Sequence, residues 1–251
     1  MNITINKINL HIEKYGNGKQ NILILPGWGD TRNTFEKIIE ILQHKYTIYI
    51  LDYPGFGKST FPEKDLTIYN YAELIQKLMI KLKIKNPTII AHSFGARITI
   101  LLENLKVKIN KIIIINGAGI KNKKNFFQLI KQTTYKILKK TIQLFPKKKK
   151  EKYLSKLINT FGSTDYKTLP NNMKKTFSNI VNEDLTKYLK SIKTETLLIW
   201  GENDKETPLK NGIKMNKLIE NSGLITIKNG THFLYIDMFH YITKIILEFL
   251  K

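Results

Sequence analysis

The stretch Thr88-Ile89-Ile90-Ala91-His92-Ser93-Phe94-Gly95-Ala96 decides the fold. Its first four residues are β-branched or apolar and predict a buried strand. Behind it, apolar residues recur at helical spacing, at Ile98, Leu101, Leu102 and Leu105. Ser93 therefore falls where a strand turns sharply into a helix, with the small residues Ala91 and Gly95 two positions away on either side. This pattern predicts a nucleophile elbow, which lifts a serine hydroxyl clear of the sheet.

The elbow motif alone does not establish a catalytic serine. A serine between two small residues also occurs by chance, and a serine at a helix start is a common capping residue. The remaining motifs of the chain have to decide between the two interpretations.

Composition limits the classes of function. The chain has 251 residues, enough for one large core or for a core with an insertion. Lysine and arginine number 42 against 20 acidic residues, a net charge of +22. An anionic partner (nucleic acid, a membrane surface or an acidic protein) would explain this charge. We favour the coding bias of an AT-rich genome, because isoleucine and asparagine are abundant as well. We expect no nucleic-acid partner, since no nucleic-acid-binding motif is visible.

The chain contains no cysteine, which excludes a disulfide framework, a thiolate metal site and a cysteine nucleophile. It has neither a signal-peptide pattern at its start nor a run of about 20 apolar residues. We therefore expect a cytoplasmic protein without a membrane span.

Strand-like apolar runs alternate with helix patterns over residues 1–118 and again over 192–251. This alternation predicts an α/β fold with a mostly parallel, eight-stranded sheet flanked by helices. In such sheets the loops that follow the strands lie along one edge, where ligands bind. Residues 119–191 show helix patterns only and carry 18 lysines. They predict a lysine-rich helical domain inserted after the sixth strand.

Two further polar residues follow predicted strands at the same edge as Ser93. Asp204 comes after the seventh strand and His232 after the eighth. A serine needs a base to take its proton, and that base needs a carboxylate to orient it. Each residue alone has a simpler explanation: Asp204 could cap the following helix, His232 could have no chemical role, and Glu202 is a rival carboxylate. The joint order Ser, Asp, His favours a catalytic triad.

These motifs together resemble the α/β-hydrolase superfamily over residues 1–118 and 192–251. The matches are the elbow, the loops Pro26-Gly27-Trp28-Gly29 and 52–59, the Gly-x-x-Asp that ends at Asp204, and the late histidine. Ala91 and Pro26 stand where relatives usually have glycine and histidine. The resemblance implies a backbone oxyanion hole formed by the N–H groups of Trp28 and Phe94. It also implies that residues 119–191 form a cap domain over the serine.

The resemblance implies a serine hydrolase that cleaves a carboxylic ester or thioester and needs neither a metal nor an organic cofactor. Two alternatives stay open: a carbon–carbon bond hydrolase acting on a diketone-type substrate, and a weakly catalytic binding protein on the same scaffold. The Trp28-Gly29 pair resembles the loop of esterases that act on acyl carrier protein esters, so an acidic carrier is a candidate partner. Candidate pocket residues are Trp28, Phe94, Phe126, Phe127 and Tyr135.

Overall fold

The computed structural model describes residues 1–121, 126–161 and 164–251. Within these ranges eight strands form one sheet in the order β1-β2-β4-β3-β5-β6-β7-β8. Pairing is antiparallel for β1 with β2 and for β2 with β4, and parallel from β4 to β8. The strands are β1 (Asn2–Ile5), β2 (Ile8–Tyr15), β3 (Gln20–Leu25), β4 (Tyr46–Leu51), β5 (Thr88–His92), β6 (Ile112–Ile115), β7 (Thr196–Gly201) and β8 (Ser222–Ile227). The predicted eight-stranded, mostly parallel sheet is confirmed.

Helices connect these strands as the sequence pattern predicted, and a short 3-10 helix at Arg32–Phe35 precedes the first of them. The α-helices are α1 (Glu36–Leu42), α2 (Ile68–Lys81), α3 (Phe94–Asn104), α4 (Phe126–Ile142), α5 (Lys147–Phe161), α6 (Thr164–Thr168), α7 (Asn171–Asn182), α8 (Thr186–Leu189), α9 (Leu209–Leu218), α10 (Leu234–Asp237) and α11 (Phe239–Phe249). No helix of the described ranges is long and apolar enough to cross a membrane.

The centre of the sheet is buried on both faces, which explains why its strands are continuous apolar runs rather than alternating ones. Strand β6 consists of four isoleucines, all of them buried. At the sheet edge, Asn6 and Lys7 have φ angles of 48° and 64°. This geometry is that of a type I′ turn, and it joins β1 and β2 as a tight hairpin.

The chain divides into two compact units, one formed by residues 1–120 and 183–251 and the other by residues 121–182. The first unit holds the whole sheet. The second consists of helices α4 to α7. The ends of the first unit's two segments meet, because the Leu185 N–H donates to the Gly119 carbonyl at 2.9 Å.

Candidate active site

Ser93 lies between β5 and α3 with a φ of 45° and a ψ of −106°. This strained conformation is the one that the sharp turn of a nucleophile elbow requires. Small neighbours make it possible: a Cβ built on Gly95 would lie 2.0 Å from the Leu25 carbonyl oxygen. Phe94 is the first residue of α3, so its N–H has no carbonyl partner within the helix and can face an oxyanion.

The structure brings Asp204 and His232 together. His232 Nδ1 lies 2.9 Å from Asp204 Oδ2, and both side chains are largely buried. The backbone N–H groups of Glu206 and Thr207 each donate to Asp204 Oδ1 at 2.9 Å. Burial alone would raise the pKa of Asp204, but the hydrogen bonds from His232 and Thr207 outweigh it and hold that pKa below its usual value. An ionised Asp204 that accepts a hydrogen bond from the Nδ1–H group leaves His232 Nε2 free to act as a base.

Ser93 and His232 lie on adjoining loops. His92 directly precedes Ser93 in the chain. Its Nε2 atom lies 3.0 Å from the His232 carbonyl oxygen. Within the described residues no hydrogen bond joins the Ser93 hydroxyl to the His232 ring. Catalytic hydrogen bonds of this kind are often long before substrate binds. The structure thus joins Asp204 to His232, and Ser93 directly follows His92, whose ring contacts the His232 backbone.

Asn116 links the two loops that carry Asp204 and His232, a role that the sequence did not reveal. Its side chain is fully buried at the end of β6. The Nδ2 group donates to the carbonyl oxygens of Thr231 and His232, both at 2.8 Å. The Oδ1 atom accepts from the N–H of Gly201 at 2.9 Å. The sequence signal that could have identified Asn116 is its position directly after a central strand, because the loops that follow such strands hold the site.

The same two loops also touch backbone to backbone. A Cβ built on Gly201 would lie 2.4 Å from the carbonyl oxygen of Gly230, and one built on Gly230 would lie 2.9 Å from the Cα of Gly201. Side chains would push the loops apart, so the two glycines permit the spacing at which Asp204 meets His232.

A contact between the buried His92 and the half-buried Asp30 joins the elbow to the loop after β3. His92 Nδ1 lies 3.2 Å from Asp30 Oδ2, and the Tyr235 hydroxyl donates to the same oxygen at 3.1 Å. Burial lowers the pKa of His92, while the hydrogen bond with Asp30 opposes that shift. Gly27 leaves room for the pair, since a Cβ there would lie 2.4 Å from Asp30 Oδ2. Both ring nitrogens of His92 therefore have partners, Asp30 and the His232 carbonyl, and the ring connects two loops of the site.

Aromatic side chains contact the loop Pro26-Gly27-Trp28-Gly29, which should supply the second oxyanion donor. The Tyr53 hydroxyl donates to the Pro26 carbonyl oxygen at 3.3 Å. The Trp28 ring packs edge-on against the rings of Phe94 and Phe56, with centroid distances of 5.1 and 4.8 Å. Of the predicted pocket residues, Trp28 and Phe94 thus lie together in the unit that carries the sheet.

The other predicted pocket residues belong to the helical unit. Tyr135 is half-buried there in α4. The side chains of Phe126 and Phe127 lie outside the described residues. In the part of the chain that is described, no three histidine, cysteine or acidic side chains converge as they would around a metal ion.

Comparisons with known proteins agree with this architecture. A curated relative from Wigglesworthia glossinidia brevipalpis, a pimeloyl-[acyl-carrier protein] methyl ester esterase, is 27% identical and covers 94% of this chain and 95% of its own. A 2-hydroxy-6-oxononadienedioate/2-hydroxy-6-oxononatrienedioate hydrolase from Pseudomonas putida is 24% identical over 97% and 92% of the two chains.

Solved structures share the fold at lower identity. The alpha/beta hydrolase enzyme MGS-M2, from a Medee basin deep-sea metagenome library, superimposes with a TM-score of 0.77 at 21% identity. The match covers all of this chain and 97% of the other. The family model for the alpha/beta hydrolase fold matches residues 20–238. With most of its length matched by that model, the protein belongs to the alpha/beta hydrolase family.

Proposed function

We propose that the protein hydrolyses a carboxylic ester or thioester through an acyl-serine intermediate on Ser93. The observation that carries the proposal is the 2.9 Å contact between His232 Nδ1 and Asp204 Oδ2, on loops that adjoin a strained Ser93. A protein that only bound its ligand would have no need for this combination of groups.

In the proposed reaction the Ser93 oxygen attacks the carbonyl carbon while its proton moves to His232 Nε2. Asp204 stabilises the imidazolium that forms. The alcohol or thiol then leaves with that proton, and an acyl-serine ester stays behind. Water attacks this ester, gives its proton to His232, and the acid departs as the proton returns to Ser93. The N–H groups of Phe94 and Trp28 would hold the oxyanion in both steps, each contributing roughly 3 kcal/mol to lowering the barrier.

The substrate class is narrowed by analogy only. The name of the Wigglesworthia relative describes a carrier-bound methyl ester, which supports including a carrier-bound ester among the test substrates. The Pseudomonas relative supports a second candidate function, carbon–carbon bond hydrolysis of a diketone-type substrate with the same three residues. We further propose that the helical unit serves as the cap predicted for residues 119–191. A cytoplasmic location stays a prediction.

Burst kinetics on p-nitrophenyl esters of increasing acyl length test the proposal. We expect a burst of p-nitrophenol that disappears in Ser93→Ala, with the preferred acyl length reporting the size of the pocket. Glu202→Gln is the matched control, because Glu202 lies in the same loop as Asp204 without contacting His232 among the described contacts, and it should keep the burst.

Two outcomes would contradict the proposal, and a third would remove the carrier from the candidate substrates. A Ser93 that does not react with a fluorophosphonate, with no ester turned over, would favour the binding protein. Cleavage of a diketone-type substrate without ester turnover would favour the carbon–carbon hydrolase. A carrier-bound ester turned over no faster than a free ester, with no effect of salt, would exclude the carrier as a partner.

A further inference from the structure

The helical unit carries most of the net charge of the chain. Residues 121–182 contain 16 lysines against 2 acidic residues, a net charge of +14 out of +22. Coding bias accounts for lysine in the whole chain, but it does not account for such a concentration in one unit. The remaining 189 residues carry only +8.

The charge surrounds an exposed apolar turn. Helices α4 and α5 pack against each other as a helical hairpin, joined by residues 143–146. In this turn Leu144 is 85% exposed and Phe145 42% exposed. Earlier in the chain, on α4, Ile137 and Leu138 are 61% and 40% exposed. Large apolar side chains grouped on a surface mark an interaction site more often than single ones do.

Lysines lie on both sides of this turn. We call residues 136–152 the hairpin tip; they include eight lysines and one glutamate. Lys139 and Lys140 lie in the last turn of α4 and Lys149 in the first turn of α5, and all three are exposed. The hairpin tip therefore presents apolar side chains with exposed lysines on both sides of the turn.

We propose that the hairpin tip docks onto an anionic phospholipid membrane surface. Leu144 and Phe145 would enter the boundary between headgroups and acyl chains, while the lysines meet the lipid phosphates. Amphipathic segments with an apolar side and many lysines bind membranes in this way, and clusters of four to eight lysines select anionic lipids. The binding is interfacial and needs no membrane-spanning helix.

The type of cation favours lipid over a protein or nucleic-acid partner. All basic residues of 121–182 are lysines, and the two arginines of the chain, Arg32 and Arg97, lie outside it. Protein interfaces are enriched in arginine and depleted in lysine. Arginine is also the residue that binds individual phosphates of nucleic acids bidentately. A diffuse field of lysines around an apolar turn suits a fluid anionic surface, which offers no fixed geometry to match.

Flotation of the full-length protein with vesicles tests the proposal. We expect binding to vesicles of phosphatidylcholine mixed with phosphatidylglycerol, little binding to phosphatidylcholine alone, and release at high salt. The double variant Leu144→Ser/Phe145→Ser should bind about tenfold more weakly, because it loses the apolar contact. The double variant Lys139→Gln/Lys140→Gln should lose roughly fivefold for each lysine.

Helix α9 of the other unit offers a matched control. It carries the exposed residues Ile213, Lys214 and Lys217. The triple variant Ile213→Ser/Lys214→Gln/Lys217→Gln changes charge and exposed apolar surface by similar amounts, yet should bind the mixed vesicles like the unaltered chain. All variants should keep the thermal unfolding midpoint within a few degrees, since none of these side chains is buried and only Phe145 has a ring contact, with Tyr153 at 5.4 Å.

A spectroscopic probe separates insertion from adsorption. Phe145→Trp should show a blue shift of its fluorescence on mixed vesicles. Equal binding to both kinds of vesicle, tip variants that bind like the control, or no blue shift would overturn the proposal. So would tip-dependent binding of an acidic carrier protein or duplex DNA without binding to vesicles.

Discussion

Asn116 shows how a single buried amide can hold two functional loops. Its side chain contacts Gly201 on the Asp204 loop, and Thr231 and His232 on the other. Asn116→Ala would leave one buried N–H and two carbonyls without this partner, and we expect a loss of about 3 kcal/mol in the free energy of unfolding. Because the loops would drift, kcat should fall at least tenfold with a smaller change in KM. Urea unfolding and ester kinetics measure the two effects.

Asn211→Ala is the control for this prediction. Asn211 is also a buried asparagine, on α9, without a side-chain bond to either loop among the described contacts. Its replacement also removes a buried amide, and it should leave kcat nearly unchanged. If both variants lose activity equally, Asn116 acts only through general stability and not by positioning the loops.

The site residues that were predicted from the sequence and those that were not differ in how far along the chain their hydrogen-bond partners lie. Ser93, Asp204 and His232 were named because each follows a strand in a recognisable local pattern. Asn116 and the His92–Asp30 pair had no such pattern, since their partners lie 62 to 140 residues away. Only the folded sheet brings these partners within reach. The triad itself stays a prediction until kinetics test it.

At the scale of elements, the packing of α3 on β3 depends on Gly95. A Cβ at this position would lie 2.0 Å from the backbone oxygen of Leu25, and backbone cannot move aside as a side chain can. Gly95→Ala should therefore lower the free energy of unfolding by about 3 kcal/mol or more. A Cβ built on Gly223 in β8 would meet no other atom of the described chain within 4 Å. Gly223→Ala should change stability by less than about 0.5 kcal/mol in the same urea titration.

The order of strands and helices could be predicted because apolar runs and helical spacing are local signals. Strand β6 with its four isoleucines and helix α2 with its capping box at Thr67 and Asn70 are clear examples. The bounds of strands and helices are harder to predict where side chains are partly exposed. Strand β8 begins with Ser222 and Gly223, which give no apolar signal, and it lies at the sheet edge where Leu224 is not fully buried. The short helices α6 and α8 have too few residues to show a period.

At the scale of the molecule, hydrogen bonds join the two segments of the sheet unit close to the points where the helical unit is inserted. The Leu185 N–H donates to the Gly119 carbonyl at 2.9 Å, and Arg97 Nη1 donates to the Glu183 carbonyl at 2.9 Å. These bonds join the two segments of the sheet unit between which residues 121–182 are inserted. We expect a chain in which residues 121–182 are replaced by a short glycine-serine linker to unfold in one cooperative transition, as measured by calorimetry.

This shortened chain has a second expected property. Its net charge falls from +22 to +8, and it lacks the hairpin tip, so it should not bind anionic vesicles. The shortened chain with Gly95→Ala added is the reference for a destabilised sheet. An aggregated or non-cooperative product from the simple deletion would show that the sheet unit does not fold without the insertion.

The contact between Gly201 and Gly230 has a consequence for how these two positions evolve. Every glycine codon begins with two guanines, so a genome drifting toward adenine and thymine erodes glycine steadily. A change at either position would separate the Asp204 and His232 loops, and only a return to glycine at that position would restore the lost approach. Selection must therefore act on both codons for as long as the site is used. In descendants that have abandoned the chemistry, these two codons should be among the first to drift.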